Sequence, residues 1–275
     1  MMRVVRTLTA ADVASAMELS VAANWNQTEE DWQRVIRLSP RGCSCIEDAG
    51  KIVATATLVV YSVRLAWIGM VLTRPEYRGQ GLARRLMEDA IASAQEQGIR
   101  TLMLDATDQG RPLYESLGFS PEHAVERWER KGKHDRGVLR EPQRSLGLSR
   151  ELFDQDECVF GVSREKVLEE LAEAGELDIT GCGYVLSRAG RSRRYLGPCV
   201  AESGDKARVL MAAHLDKFDT AEGWYWDLLP ENQEAKRCAE ELGFTRSRVL
   251  CRMRRGEALE QNVARMYAIA GFELG

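Results

Sequence analysis

The chain has 275 residues, with 38 Lys and Arg against 42 Asp and Glu for a net charge of −4, and 44% of it is hydrophobic. So even a balance gives no broad positive field for nucleic acid or an anionic membrane surface, and no run of about 18 apolar residues marks a membrane span. The length suits two cores of ordinary size better than one.

The seven cysteines, Cys43, Cys45, Cys158, Cys182, Cys199, Cys238 and Cys251, include no Cys-x-x-Cys pair, and only three histidines accompany them. Zinc-ligand spacing is absent, so no metal is expected. Most of these thiols sit in apolar surroundings and read as small core hydrophobes. Free thiols in such number point to a reducing compartment, and the N-terminal stretch lacks the apolar core of a signal peptide. The expectation is a soluble, cytoplasmic protein.

Along the chain, "RVVRTL" reads as a short strand, followed by a helix that Thr9 caps, with Val13, Met17 and Val21 on one face. A second helix opens at Thr28 and must stop before Pro40. "CSCIEDAGKIVATATLVVYSV" is a hairpin turning at Asp48, Ala49 and Gly50. Next come the strand "LAWIGMVLT", the loop "RPEYRGQG", and a long helix "LARRLMEDAIASAQEQG" that ends on Gly98. The strand "TLMLDAT", a short helix through "RPLYESLG" and a strand beginning at Phe119 close this unit. From Lys131 to about Arg150 the apolar period fails in a basic stretch rich in Gly, Pro and Ser, which reads as an exposed linker.

Beyond that stretch the chain repeats itself. "YESLGF" at Tyr114–Phe119 returns as "AEELGF" at Ala239–Phe244, and "WIGMVL" at Trp67–Leu72 is echoed by "YLGPCV" at Tyr195–Val200. Gly69 to Phe119 spans 50 positions and Gly197 to Phe244 spans 47. "LMLDAT" and "WYWDLLP" hold corresponding places, with Asp105 matched by Asp227. Four landmarks in one order indicate two copies of one fold.

The glycine loop allows several anions. A Rossmann turn would follow a strand, open a helix and find an acid about where Asp105 lies. Against it, Arg84 stands at the third glycine position, and six residues including Pro75 separate the strand end near Leu72 from Gly79. A phosphate loop fails because no Gly-Lys-Ser or Gly-Lys-Thr follows. What remains is a turn whose N–H groups from Gly79 to Ala83 face one place at the positive end of a helix dipole, with Arg78, Arg84 and Arg85 adding potential. That suits a pyrophosphate.

Arg78-Gly79-Gln80-Gly81-Leu82-Ala83 resembles the Arg/Gln-x-x-Gly-x-Gly/Ala signature of the GCN5-related N-acetyltransferases. "LTRPEYRGQGLARRLM" is similar to their coenzyme-binding segment, and "RPLYESLGF" to their short helix and next strand. The C-terminal half resembles the second module of tandem bacterial members. The resemblance implies an α/β (α+β) architecture of two tandem domains, each a mixed, mostly antiparallel central sheet flanked by helices. Residues 1–131 would form a coenzyme-binding catalytic domain, 132–150 the linker, and 151–275 a degenerate second domain.

It also implies acetyl-CoA as co-substrate and a small-molecule primary amine as acceptor, with no nucleic acid or membrane partner. The pantetheine arm would lie along Val71, Leu72 and Thr73, where a backbone N–H polarises the thioester carbonyl. Arg78, Gly79, Gln80, Gly81, Leu82, Ala83 and Arg84 would hold the pyrophosphate, and Tyr114 would protonate the leaving thiolate. The family often has an asparagine seven residues before that tyrosine; here Thr107 stands there, and its hydroxyl can replace the contact.

The general base is open between Asp105, Glu76 and a water chain; because Asp227 matches it in the second copy, Asp105 reads first as a residue tied to the shared fold and second as base or amine anchor. The second copy has "AESGDKARVL" in place of the glycine loop and Ala239 in place of Tyr114, so it is expected to bind no coenzyme and to serve as a wall of the acceptor site or a homodimer surface. Trp224-Tyr225-Trp226, Trp25 and Trp32 read either as core or as stacking residues. The alternatives are a non-catalytic acyl-CoA sensor and a nicotinamide-dependent dehydrogenase.

Overall fold

Thr28 starts its helix by a reciprocal capping box: its N–H donates to the Asp31 carboxylate at 2.8 Å and its hydroxyl accepts from the Asp31 N–H. The computed structural model in which this is seen describes residues 4–132, 147–218 and 220–275. Most of the expected linker, residues 133–146, lies outside the described residues. The chain divides into two compact units, one of Met1–Glu122, Met253–Ala258 and Glu273–Gly275, the other of His123–Arg252 and Leu259–Phe272.

The first unit contains β1 (Val5–Thr7), α1 (Val13–Ala22), α2 (Glu29–Leu38), β2 (Cys43–Asp48), β3 (Lys51–Ser62), β4 (Leu65–Thr73), α3 (Leu82–Glu96), β5 (Thr101–Ala106) and α4 (Arg111–Ser116). Its strands run in the order β1-β2-β3-β4-β5, antiparallel except for β4 and β5. The β2–β3 turn falls on Ala49 (φ 49°) and Gly50 (φ 78°), and two positive φ values are what a type I′ hairpin requires. Every residue of β3 from Ile52 to Val59 is buried. Successive side chains point to opposite faces, so the sheet is covered on both. Leu82 and Leu86 of α3 cluster with Ile46, Val53 and Ala54, and α1 and α2 also pack on β3.

β4 is irregular at one point along its pairing with β3. Leu72 stands opposite Thr55 and Gly69 opposite Thr57, so β4 takes one residue more than β3 over that interval. The extra residue makes a bulge at Met70, whose φ is 48° and whose carbonyl accepts from Thr55 Oγ1 at 2.8 Å. On its other edge β4 pairs with β5 only at Ala66 and Trp67. Beyond Trp67 the two parallel strands part.

The second unit takes β6 (Ser120–Arg130) from His123 onward, then α5 (Arg150–Phe160), α6 (Glu165–Ala174), β7 (Glu176–Thr180), β8 (Gly183–Arg188), β9 (Arg194–Ala201), α7 (Gly204–Phe218), β10 (Trp224–Leu228), α8 (Gln233–Glu241), most of β11 (Thr245–Gly256) and β12 (Met266–Ala268). Its strands run β6-β10-β9-β8-β7, with β9 and β10 parallel and the other pairs antiparallel. Trp224 and Trp226 are fully buried in its core, so these two members of the aromatic run are packing residues. Trp32 is buried likewise and donates to Ser20 Oγ at 3.0 Å.

The repeat read from sequence is a repeat of structure. The Phe119 N–H closes on the Tyr114 carbonyl at 3.1 Å, with Gly118 at φ 85°; the Phe244 N–H closes on the Ala239 carbonyl at 2.9 Å, with Gly243 at φ 82°. The same left-handed glycine ends the same short helix in each copy. β9 and β10 pair at Arg194, Tyr195 and Leu196 and then part, as β4 and β5 do.

Here the copies differ. β12 runs antiparallel to the freed end of β9, with Met266 opposite Val200 and Ala268 opposite Cys199. On its β10 side, Ile269 N–H donates to the Asp227 carbonyl at 3.0 Å and Trp226 Nε1 to the Tyr267 carbonyl at 2.8 Å. The opening between β9 and β10 is thus filled by the chain itself.

Candidate functional site

The path out of β4 is tied down before the glycines begin. Arg74 N–H donates to the Val53 carbonyl at 2.9 Å, its Nε to the Ile52 carbonyl at 2.8 Å, and its guanidinium pairs with Glu18. Pro75–Tyr77 makes one 3-10 turn, and Gly79 (φ 74°) and Gly81 (φ 76°) then turn left-handed into α3. No atom lies within 4 Å of where a Cβ on either glycine would be. Conformation, not crowding, requires glycine at both.

Among the described residues, the N–H groups of Gly79, Gly81, Leu82 and Ala83 donate no hydrogen bond, and no side chain caps α3. Unpaired donors at the positive end of a fifteen-residue helix dipole favour an anion. Arg78 and Arg85 are exposed beside them. Arg78 Nε reaches the Thr73 carbonyl at 3.4 Å, Arg84 donates to Ser116 Oγ at 2.7 Å, and the Gln80 amide donates to the Glu76 carbonyl at 3.2 Å. The donor set fits a pyrophosphate.

Upstream of the loop, Leu72 and Thr73 pair with Thr55 and Ala54 of β3. No described strand takes the other edge of Val71–Thr73. The bulge, the free edge and the anion-binding turn therefore follow one another along twelve residues of chain, from Met70 to Gly81.

Tyr114 is buried, with 9% of its surface exposed, and its ring meets Phe119 edge-on at 6.3 Å. A Cβ on Gly110 would come within 2.9 Å of the Tyr114 ring, so this glycine makes room for it. The hydroxyl has no hydrogen-bond partner among the described residues. Burial pushes the phenol up to about 12, which keeps it protonated. Thr107 starts the helix that carries Tyr114: its hydroxyl accepts from Gly110 N–H at 3.2 Å and its carbonyl from Arg111 N–H at 2.9 Å.

Asp105 is half-buried near the end of β5, and its counterpart Asp227 is fully buried, held by Arg127 through two bonds of 2.7 and 2.6 Å. In the second copy this aspartate is an ion-pair partner inside the fold. Glu76 is exposed.

Sequence reasoning missed one carboxylate. Glu273 belongs to the first unit, is only 4% exposed, and accepts from the Gln27 side-chain amide at 3.1 Å. A Cβ on Gly69 would lie 2.8 Å from its Cα. In the second unit a Cβ on Gly197 would lie 2.2 Å from the Ile269 carbonyl oxygen, so the matching glycine again makes room for the C-terminal segment. The echo of "WIGMVL" in "YLGPCV" contained that signal, though neither partner can be read from it.

The anion loop of the first copy has no equivalent in the second. Residues 202–203 alone connect β9 to α7, against residues 74–81 between β4 and α3. A Cβ on Gly204 would come within 2.5 Å of a Glu234 carboxylate oxygen, and Asp205 is exposed in the first turn. Carboxylates stand where a pyrophosphate would need donors. Ala239, in the place of Tyr114, is fully buried.

The profile of the Acetyltransferase (GNAT) family matches residues 12–119, and that of an Acetyltransferase (GNAT) domain matches residues 152–268. "Uncharacterized N-acetyltransferase YitH" of Bacillus subtilis (strain 168) is 26% identical over 209 residues, 72% of this chain and 73% of its own length. Glucosamine 6-phosphate N-acetyltransferase of Trypanosoma brucei brucei is 31% identical over 81 residues, 27% of this chain and 55% of its own. A Pyrococcus horikoshii crystal structure, assigned provisionally to the acetyltransferases, has a TM-score of 0.85 at 21% identity, over 99% of this chain and 96% of that one. The GCN5-related N-acetyltransferase of Sphaerobacter thermophilus has a TM-score of 0.66 at 13% identity, over 94% and 97%. At those identities the structural likeness concerns the fold; the two profiles carry the family. This chain belongs to the GCN5-related N-acetyltransferases, as an acyltransferase built from two tandem copies of their fold.

Proposed function

We propose that the protein moves an acetyl group from acetyl-CoA to a primary amine of a small molecule, and that one active site, on the N-terminal copy, does so. The observation that carries this reading is the contrast between equivalent strand openings. The edge of Val71–Thr73 is open beside an unpaired N–H turn, whereas the equivalent edge of β9 is taken by β12.

Acetyl-CoA, when bound, supplies the activated acyl group. The N–H groups of Gly79, Gly81, Leu82 and Ala83 hold its pyrophosphate, with Gln80 shaping the turn and Arg78 and Arg84 adding positive potential. Val71, Leu72 and Thr73 offer their free backbone to the pantetheine amides as a partner strand would. A backbone N–H just past the Met70 bulge polarises the thioester carbonyl, which is worth a few kcal/mol when the donor is fixed in advance.

The amine must arrive neutral: it loses one proton to water or a nearby carboxylate, of which Asp105 is the one on β5. Its nitrogen then bonds to the carbonyl carbon as the carbon–sulfur bond breaks, and alignment in the cleft supplies most of the rate. Tyr114 donates its hydroxyl proton toward the departing sulfur, and the second proton, shed by the acylated nitrogen, passes through solvent to restore the phenol, so that the amide and the free thiol leave. Because a phenol near 12 is a weaker acid than the thiol it would form, the transfer is coupled to bond breaking and consists largely of a hydrogen bond to the sulfur. Thr107 positions the start of α4 and thereby Tyr114.

The test is thiol release from acetyl-CoA across a panel of primary amines. Release that depends on an amine supports the reading. Tight coenzyme A binding with no turnover on any amine would favour an acyl-CoA sensor, and thermal protection by NAD but not by coenzyme A would favour a dehydrogenase.

A further inference from the structure

Between the end of β4 and the anion turn, one side chain bonds to two other elements of the first unit. Arg74, 15% exposed, gives its Nε to the Ile52 carbonyl at 2.8 Å and pairs its guanidinium with Glu18 of α1, while its backbone N–H donates to the Val53 carbonyl at 2.9 Å. Ile52 is itself fastened to α1, since its N–H donates to Ser15 Oγ at 3.3 Å. The start of β3, α1 and the exit from β4 therefore meet at Arg74.

The turn hangs from this residue. Tyr77 N–H donates to the Arg74 carbonyl at 2.9 Å, Arg78 N–H to that of Pro75 at 3.3 Å, and Tyr77 packs on the cluster that contains Val53 and Leu82. The N–H groups of Gly79, Gly81, Leu82 and Ala83 can serve one anion together only if the chain that carries them keeps a fixed path. A turn that must be ordered on binding gives up affinity for that ordering. Gly79 and Gly81 are the most permissive residues for such a path, so its stiffness has to come from the flanks. α3 supplies it on one side and Arg74 on the other.

We propose that Arg74 is a positioning residue for the coenzyme's pyrophosphate, acting through the bond from its Nε to the Ile52 carbonyl and not through its charge, which Glu18 already pairs. The inference rests on the acetyl-transfer reading and deepens it. Arg78 and Arg84 supply potential to the anion, whereas Arg74 fixes the backbone that meets it.

Two substitutions in the full chain separate bond from charge. Arg74→Lys keeps the charge but puts a methylene where arginine has Nε; Arg74→Gln loses the charge but puts an amide N–H donor at that same place along the side chain. Titration calorimetry is expected to show coenzyme A bound roughly five- to tenfold more weakly by Arg74→Lys and within about twofold of the wild type by Arg74→Gln. The KM for acetyl-CoA should follow these affinities, while kcat at saturating acetyl-CoA and the amine KM move less than about twofold. Weak binding by Arg74→Gln with Arg74→Lys intact would show that the charge attracts the anion, and equal affinities in both variants would show that the bond does not act on the turn. A fall in kcat as large as the fall in affinity would show a merely structural role. Each of these results overturns the proposal while acetyl transfer stands. If the wild type binds no coenzyme A, the pyrophosphate reading and the proposal fall together.

Discussion

Gly197 lies against Ile269 so closely that a Cβ on the glycine would come within 2.2 Å of the Ile269 carbonyl oxygen. The contact holds the end of β12 at the point where β9 and β10 part. A backbone oxygen cannot swing aside as a side chain can, and φ at Gly197 is 141°, where an L-residue is strained. Gly197→Ala is therefore expected to destabilise the second unit by more than about 2 kcal/mol. Urea unfolding followed by the fluorescence of the buried Trp224 and Trp226 measures it. A loss below about 0.5 kcal/mol would mean that β12 does not occupy this opening.

Freeing β12 should not create a second coenzyme site, because only residues 202–203 lead into α7 and the Glu234 carboxylate lies against Gly204, where a pyrophosphate would stand. Titration calorimetry with coenzyme A is expected to give one site per chain, both in the wild type and in Gly197→Ala. Two sites per chain would overturn the assignment of one active site. Gly81→Ala tests the site itself: the new methyl meets no protein atom, so the φ of 76° alone sets a stability cost of about 1 kcal/mol. Coenzyme A affinity should fall by about tenfold or more, since the methyl stands where the anion approaches the backbone. An unchanged affinity would move the pyrophosphate elsewhere.

What could be read from the sequence is what short stretches of chain determine by themselves. Gly79 and Gly81 were legible because only glycine takes a left-handed turn cheaply, and the matched ends of α4 and α8 because a helix stop is written within six residues. The capping box at Thr28 and the Ala49-Gly50 turn are of the same kind. The Met70 bulge was not legible, since nothing in "WIGMVLT" marks a methionine for a positive φ. Nor were the partners of the tail: Glu273 meets Gln27 across 246 residues, and Ile269 meets Gly197 across 72. The pairing of β6 with β10, with Trp128 opposite Trp226, is equally remote in sequence. Such contacts depend on how whole elements pack, so the carboxylate beside the bulge and the strand that fills the second opening came only with the structure.

Tyr114→Phe removes a hydroxyl that bonds to no described residue, so the folded state should lose little stability. The kcat for acetyl transfer is expected to fall roughly 10- to 100-fold, with coenzyme A affinity nearly unchanged. The pH dependence follows from the sign of the shift. The protonated phenol is the active form, and burial raises its pKa to about 12, so Tyr114 stays protonated throughout the usual assay range. No loss of wild-type rate between pH 8 and about 10 should then come from this residue. Rate profiles of wild type and Tyr114→Phe should run parallel there, and a fall as pH approaches 10 confined to the wild type would show an ordinary, solvated phenol instead.

His214 offers a pH prediction for the second unit. Its Nδ1 lies 2.7 Å from Asp178 Oδ2, Lys217 holds the other carboxylate oxygen at 2.8 Å, and the ring is buried against Phe218 at 4.8 Å. Burial keeps the imidazole below its ordinary 6.5, so the folded protein holds it neutral, donating to an Asp178 carboxylate that this bond draws down to about 2. The unfolded chain binds a proton near 6.5 and the folded chain does not, so stability is lost as pH falls below that value. Asp178 adds no slope in this window: its contribution holds above its unfolded value of 3.8 and is lost only toward pH 2. His123, lowered to about 4 by burial, adds a slope of the same sign that is common to both proteins. His214→Gln keeps a donor for Asp178 and cannot titrate. Urea unfolding between pH 7.5 and 5 should therefore show a shallower loss of stability in His214→Gln than in the wild type, and equal slopes would mean that His214 is already charged in the folded protein.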